Sequence, residues 1–328
     1  MRALRVTLAE PGPNAVAIDE VDAPTPGDGE VALLAEYSSL NYKDALAIAG
    51  RPGIVRAARL VAGIDVVGVV QASRDPRWAV GDRVIVTGRG LGETRDGGLA
   101  ERVVVPGDAA VRIPDVFSAR QAAAIGTAGF TAALAVEELA RQGSLEVPGD
   151  GVLVTGAGGG LGGIAIALLH RVGARVLAVT GRTALAGALE ELGADAVLAR
   201  EEFLEAGRPL QHARWSGAVD TVGGVILANV IAQTVPGGTV AVCGNAAGMD
   251  LPTSVAPFIL RGVRLSGITS VWPAAAARDA AWARLAADLD PGVLDALTEV
   301  VGLGEAIDAA DRILAGAVHG RIVVDVRA

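Results

Sequence analysis

The densest cluster of small residues in the chain is Gly156-Ala157-Gly158-Gly159-Gly160-Leu161-Gly162-Gly163. It follows the apolar run Val152-Leu153-Val154-Thr155 and opens a segment, Gly162 to Val172, that reads as a helix. A strand that passes into a helix through glycines leaves the first helical N–H groups free. Small side chains there let a pyrophosphate approach the backbone. The run fits the spacing A-x-G-x-x-G, with Ala157, Gly159 and Gly162 at the key positions and Gly160 and Leu161 between them. With 44 glycines in 328 residues, such a spacing alone carries little weight. Its place between a strand and a helix gives it meaning.

The second strand, Arg175 to Thr180, decides which dinucleotide suits the turn. An NAD site usually ends this strand, about 20 residues on, with an Asp or Glu that accepts from the ribose 2′-OH. Here the strand ends Val179-Thr180-Gly181-Arg182, with no acid. A carboxylate would repel a 2′-phosphate, whereas Arg182 can pair with it bidentately and Thr180 can donate a hydrogen bond. The residues therefore predict NADPH as the cofactor.

These groups need a scaffold. From about Ser118, helical runs rich in Ala and Leu alternate with short Val-rich strands, at Val152–Thr155, Arg175–Thr180, Ala194–Leu198, Ala218–Thr221, Thr239–Cys243 and Arg264–Ile268. Alternating helices and buried strands predict a parallel, doubly wound sheet. The first third is different. Short alternating runs at Arg2–Leu8, Ala15–Val21, Glu30–Ser38, Ile64–Val70, Arg83–Thr87, Ala100–Val105 and Ala110–Ile113 are separated by turns such as Pro11-Gly12-Pro13, Pro24-Thr25-Pro26-Gly27 and Gly81-Asp82. That pattern predicts a small barrel. The last strand, Arg321 to Val326, is expected to return to this first domain.

Composition narrows the function classes. A net charge of -9 argues against a nucleic-acid partner. No run is expected to be long and apolar enough to span a membrane, and the N-terminus lacks the apolar core of a signal peptide, so a cytoplasmic location is the expectation. One cysteine, Cys243, excludes an intrachain disulfide, and three scattered histidines do not supply a metal site. Cys243 reads as a small buried hydrophobe.

Longer stretches now carry a resemblance. They are Ser38-Ser39-Leu40-Asn41-Tyr42-Lys43-Asp44-Ala45-Leu46, Gly63-Ile64-Asp65, Gly97-Gly98-Leu99-Ala100-Glu101, Ile125-Gly126-Thr127-Ala128-Gly129-Phe130-Thr131-Ala132, Asp220-Thr221-Val222-Gly223 and Pro257-Phe258-Ile259-Leu260-Arg261. Taken together, the chain resembles a zinc-free member of the medium-chain dehydrogenase/reductase superfamily, in the acrylyl-coenzyme A reductase and quinone oxidoreductase-like group. The resemblance implies an α/β protein: a GroES-like β-barrel catalytic domain (residues 1–121 with 289–328) and a Rossmann doubly wound domain for NADPH (residues 122–288). It also implies a homodimer. Zinc-dependent relatives carry a cysteine ligand where this chain has Asn41 and a histidine where it has Ile64. With no Lewis acid to polarise an alcohol, hydride addition to a double bond conjugated to a carbonyl is favoured.

At matching positions the resemblance implies cofactor contacts from Tyr42, from Gly159 to Gly162, from Thr180, Gly181, Arg182 and Arg200, and from Asn245, Ile259 and Ser270. The expected reaction develops negative charge on a carbonyl oxygen, which needs a donor. Tyr42 is the leading candidate, either for that donation or for orienting the nicotinamide, and Asn41 is expected to offer an amide N–H. Asp44 is expected to fix local geometry. If the substrate is an enoyl thioester of coenzyme A, Arg56 and Arg261 are the cations expected to meet its phosphates. A quinone or enone substrate is the alternative within enzymes. An NADPH-binding structural or regulatory protein is the alternative outside them.

Overall fold

The computed structural model describes residues 1–9 and 14–328, so the expected Pro11-Gly12-Pro13 turn lies outside the described residues. The chain forms two compact units, one of residues 1–127, 270–272 and 294–328, the other of residues 128–269 and 273–293.

In the first unit, strands β1 (Arg2–Thr7), β2 (Ala15–Glu20) and β3 (Glu30–Leu40) precede a short helix, α1 (Tyr42–Ile48). Strands β4 (Arg59–Val61), β5 (Asp65–Ser73), β6 (Arg83–Thr87), β7 (Arg102–Pro106) and β8 (Val111–Arg112) follow. Helix α2 (Ala119–Arg141) leads into the second unit. There β9 (Val152–Val154), α3 (Gly160–Arg171), β10 (Val176–Thr180), α4 (Ala186–Glu191), β11 (Ala196–Ala199) and β12 (Trp215–Asp220) alternate. They are followed by α5 (Gly224–Ala232), β13 (Thr234–Val242), α6 (Ala256–Arg261), β14 (Arg264–Gly267) and α7 (Ala275–Asp288). Helix α8 (Pro291–Ala296), β15 (Thr298–Gly302), α9 (Ala306–Leu314) and β16 (Arg321–Asp325) end the chain.

The second unit is a six-stranded parallel sheet of order β11-β10-β9-β12-β13-β14. The order reverses direction beside β9, the strand that carries the glycine turn. In such sheets ligands sit at the carboxyl ends of the strands at that reversal. Its central strands β9, β10 and β12 are buried on both faces, which is why they read as continuous apolar runs. One core is built around Leu153, Leu177, Trp215, Ala218, Ile226, Val230 and Val240.

The first unit has a seven-stranded sheet, β15-β16-β3-β5-β6-β8 with β7 also on β3, and a three-stranded sheet, β2-β1-β4. An Ala3–Ala100 bridge joins β1 to the segment before β7. Both sheets and the faces of α1 and α9 share one core that includes Leu4, Leu33, Ala45, Val66, Val84, Leu99 and Val324. Strand β16 pairs antiparallel with β3, with Ile322 opposite Leu40, so the C-terminal strand is part of the first unit. Strands β4 and β15 were not legible in the sequence. Each is short and is ordered by its partner, β1 or β16.

The expectation that no segment is long and apolar enough to span a membrane needs correction. Helix α2 meets both criteria, but 83% of its most apolar window is buried inside the fold, as in the core helix of a globular protein. Gly126 breaks this helix, with φ 46° and ψ -155°. Those angles are essentially closed to any residue with a Cβ. A Cβ there would also lie 2.5 Å from Asp65 Oδ2 and 2.6 Å from Ser39 Oγ. Gly126→Ala should therefore cost about 3 kcal/mol or more of stability, read as a fall in the urea midpoint at unchanged m-value. A loss below about 1 kcal/mol would show that neither the backbone angle nor the close approach constrains the site.

Candidate active site and dinucleotide cradle

In the second unit the glycine turn is shaped by close approaches. Gly156 has φ 61°, and a Cβ on it would fall 2.2 Å from Thr221 Oγ1. A Cβ on Gly162 would fall 2.4 Å from the Gly156 carbonyl oxygen. Gly159 is the N-cap of α3 and has no side chain to cap with. The N–H groups of Gly160, Leu161 and Gly162 therefore have no intrahelical acceptor, while Gly163 N–H already donates to Gly159 O. Over Gly159 itself a Cβ would meet only Gly156 O, at 3.3 Å.

Beside the turn, β10 and β11 end in register, Thr180 opposite Ala199, and each is followed closely by an arginine. Arg182 Nη2 donates to Gly158 O at 3.0 Å, and Arg182 N–H donates to Thr180 Oγ1 at 3.1 Å. The Arg200 guanidinium lies over Gly181, where a Cβ would be 2.6 Å from Cζ. Its nearest carboxylate is Glu201, 3.8 Å away. Thr180, Gly181, Arg182 and Arg200 therefore form one cluster at the carboxyl edge of the sheet, next to Ala157 and Gly159 to Gly162. This donor set suits a phosphorylated dinucleotide: free N–H groups at a helix start, glycines that admit the backbone, and two guanidiniums where an acid would otherwise stand.

A buried pair behind the turn escaped the sequence reading. Thr155 Oγ donates to Asp220 Oδ1 at 2.7 Å, and Gly223 N–H donates to Asp220 Oδ2 at 2.8 Å. Thr221 N–H returns to Thr155 Oγ at 3.0 Å. Asp220 thereby ties the glycine turn to the loop after β12, and burial raises its pKa above the ordinary carboxylate value. An acid at a strand end followed by Gly223-Gly224 was the available signal. Cys243 is half-buried, donates its thiol to Asp220 O at 3.2 Å, and has its pKa pushed up by burial, away from thiolate reactivity.

The remaining cofactor candidates lie on other elements. Asn245 is exposed near the carboxyl end of β13, its Cα 3.4 Å from where a Gly223 Cβ would be. Ser270 belongs to the first unit. Ile259 is exposed on α6, whose Arg261 donates to Thr234 O at the start of β13.

Arg261 was expected to meet a substrate phosphate and does not fit that role. Its guanidinium donates to the carbonyls of Ala232 (2.9 Å), Thr234 (3.2 Å) and Gln211 (2.5 Å). The three carbonyls belong to the last residue of α5, the first residue of β13 and the segment before β12, so the guanidinium braces their junction. Arg56 stays exposed, with one contact to Glu93 at 3.3 Å, and the same carboxylate pairs with Lys43.

In the first unit, Tyr42 is the first residue of α1. It is 40% exposed, and its hydroxyl takes no hydrogen bond among the described residues. Asn41, the N-cap, is buried and enclosed by charge. Its Nδ2 donates to Asp65 Oδ2 at 2.7 Å and to Asp44 Oδ2 at 3.2 Å, and its Oδ1 accepts from Arg321 Nη1 at 3.2 Å. Both amide hydrogens are thus committed to carboxylates, and the expected donation from Asn41 to a substrate oxygen is not available. Asp65 also accepts from Ser39 Oγ (2.7 Å), Thr127 N–H (2.9 Å) and Thr127 Oγ1 (2.5 Å). Asp44 accepts from the backbone N–H of Asn41 and of Ile64, both at 2.8 Å. Arg321, brought in by β16, also donates to Ala124 O at 2.7 Å, and burial lowers its pKa. Among the described residues no three His, Cys, Asp or Glu come together as a metal site.

Residues 27–115 match the family described as alcohol dehydrogenase GroES-like domain, and residues 160–287 match that described as zinc-binding dehydrogenase. The chain is 45% identical to the probable acrylyl-CoA reductase AcuI of Escherichia coli (strain K12), over 96% of this chain and 97% of that protein. The chain belongs to the medium-chain dehydrogenase/reductase superfamily. It falls in the group of acrylyl-CoA reductases and quinone oxidoreductases. The putative quinone oxidoreductase YhfP of Bacillus subtilis (strain 168) is 45% identical over 91% of each chain. Its crystal structure with NAD bound aligns at TM-score 0.92, 41% identity and coverage of 99% and 98%. The yhdH oxidoreductase of Salmonella enterica, solved in complex with NADP, aligns at TM-score 0.94 with 46% identity over 99% of each chain. Asn41 and Ile64 stand where the resemblance implies metal ligands in zinc-dependent relatives. Here the amide of Asn41 is instead held between Asp65, Asp44 and Arg321.

That arrangement has a pH signature. Burial, then the nearby Asp65 charge, raises the Asp44 pKa from 3.8 to about 7, against the hydrogen bonds from Asn41 and Ile64. Between about pH 4 and 7 the folded chain holds a proton that the unfolded chain releases, so this group makes stability fall as pH rises through that window. Asp44→Asn removes the effect. The loss in urea midpoint caused by the substitution should be largest near pH 4 and shrink toward pH 8. A loss constant across that range would return Asp44 to an ordinary carboxylate.

Proposed function

We propose that this chain is an NADPH-dependent reductase of a carbon–carbon double bond conjugated to a carbonyl, with an acrylyl-CoA-type enoyl thioester as substrate. The observation that carries the reading is the pair of guanidiniums, Arg182 and Arg200, at the ends of adjacent strands beside the glycine turn. Kinship with an acrylyl-CoA reductase over nearly the full length supports the substrate class. The N–H groups of Gly160, Leu161 and Gly162 would hold the pyrophosphate, and Thr180, Gly181, Arg182 and Arg200 the 2′-phosphate. NADPH, when bound, supplies the hydride that reaches the β-carbon of the substrate. Negative charge then grows on the substrate carbonyl oxygen, and the unpartnered Tyr42 hydroxyl is the side-chain donor we assign to it. Asn41 is a positioning residue in this scheme: it caps α1 and fixes where Tyr42 emerges.

A second reading, reduction of quinones or simple enones, is favoured by one structural fact. Arg261 is spent on backbone carbonyls, which leaves Arg56 alone of the two cations expected for coenzyme A phosphates. We also propose a cytoplasmic homodimer, for which the outer edge of β14 and the exposed Val255, Ile259 and Leu260 supply surface.

Three measurements test the reading. NADPH oxidation assayed with acrylyl-CoA, crotonyl-CoA and a simple quinone side by side should be fastest with the thioesters; turnover of the quinone alone would reverse the order of the two readings. Replacing both Arg182 and Arg200 by Ala should weaken NADPH binding at least about 20-fold in a fluorescence titration, from two lost charge-assisted hydrogen bonds, and leave NADH binding unchanged. Equal losses for both nucleotides would remove the 2′-phosphate from this cluster. Tyr42→Phe should lower kcat and keep NADPH affinity, and unchanged turnover would take Tyr42 out of the chemistry.

A further inference from the structure

Trp272 is the exception among the four tryptophans. Trp215 and Trp282 are buried and Trp78 is half-buried, whereas Trp272 exposes 62% of its surface. It is nevertheless held in place. The Arg89 guanidinium lies over one face of the indole, 5.0 Å from the ring centroid. Arg89 is itself only 18% exposed in its side chain and forms an ion pair with Asp108. Its Nε is buried with no partner.

The backbone beneath is specialised for this purpose. Gly88, Arg89 and Gly90 all have positive φ, at 65°, 56° and 85°, and Arg89 is the only non-glycine residue to do so among those described. A Cβ on Gly88 would lie 3.2 Å from Val271 Cα, so the loop closes tightly on the segment that carries Trp272. An arginine kept in a conformation that favours glycine, directly under an exposed indole, is a built feature.

The platform also adjoins the network that positions Tyr42. Thr87, at the end of β6, pairs with Asp65, and Gly88 N–H donates to Ile64 O at 2.8 Å. Ile64 N–H in turn donates to Asp44. The indole has Arg89 against one face while 62% of the residue stays exposed. Its orientation is set in advance, so a flat partner could stack there without first ordering the side chain.

We propose that Trp272, backed by Arg89, is a stacking platform for a flat conjugated ring carried by the substrate. This rests on the reading of the chain as a reductase. The ring has two chemical sources, the adenine at the end of a coenzyme A thioester or a quinone itself, and the platform suits either.

The test uses Trp272→Ala, Trp272→Phe and Arg89→Gly, the last matching the left-handed backbone. Trp272 is exposed, so its replacement leaves the core intact. KM is measured with acrylyl-CoA, with acrylyl-pantetheine, which lacks the base, and with tetramethyl-1,4-benzoquinone. Trp272→Ala should raise KM on the order of ten-fold for the ring-bearing substrate, the size of one lost base–aromatic stack. Trp272→Phe should restore most of it, Arg89→Gly should give a smaller rise, and the Kd for NADPH should not move. A rise for acrylyl-CoA but not for acrylyl-pantetheine identifies the adenine, and a rise for the quinone alone identifies the quinone ring. Unchanged KM for all three, or a matching loss of NADPH affinity, overturns the proposal. Should the wild-type protein reduce none of them, the reductase reading fails separately. Stacking is then decided by whether adenosine 3′,5′-bisphosphate or the quinone quenches Trp272 emission, and no quenching by either overturns it.

Discussion

Asp65 is a carboxylate removed from water, and much of the first unit is arranged to make that tolerable. A buried charge needs both a counter-charge and hydrogen bonds. Asp65 receives donors from Ser39, Asn41 and Thr127, and Arg321 supplies the positive charge nearby. These groups come from β3, the start of α1, the break in α2 and the last strand. Glycine is needed at the break because a Cβ on residue 126 would lie 2.5 Å from the carboxylate. The C-terminal strand is needed because it alone delivers the guanidinium. Leaving either side of the pair unmatched would strand a charge in the core, so the elements hold together as a set.

The consequence for the site is rigidity at one residue. Asn41 is gripped at both ends of its amide, its backbone N–H is held by Asp44, and α1 must start in one direction. Tyr42 is the next residue, and its hydroxyl remains free. The chain thus spends the hydrogen-bonding capacity of Asn41 on placement and leaves the phenol hydroxyl without a partner among the described residues. The second unit uses the same logic with a different group. Asp220, buried behind the glycine turn, holds Thr155 and Gly223, so the glycine turn and the loop after β12 are braced by hydrogen bonds to one carboxylate.

Electrostatics divides the two roles. The protein carries a net charge of -9, yet the carboxyl edge of the parallel sheet presents Arg182 and Arg200 beside free backbone N–H groups. A net negative charge leaves a local anion site intact, because opposite charges a few ångströms apart outweigh distant ones screened by salt. Where arginines are committed inward, as Arg261 is to three carbonyls, they act as struts and offer little to a ligand.

The sequence by itself determined the features that depend on neighbours in the chain: the glycine turn between strand and helix, the missing acid after β10, Arg182 next to it, and the alternation that builds a parallel sheet. Backbone conformation and side-chain period are local, so residue order is enough to see them. It did not determine that Asn41 turns both amide hydrogens inward, that Arg261 supports loop carbonyls, or that Arg89 lies under Trp272. Residues 41, 65, 127 and 321 are far apart in sequence and meet only because β16 pairs with β3 and α2 breaks at Gly126. Only the tertiary structure decides such contacts, since a side chain's hydrogen bonds go to whichever groups folding brings near, and burial then makes each of those choices costly to reverse.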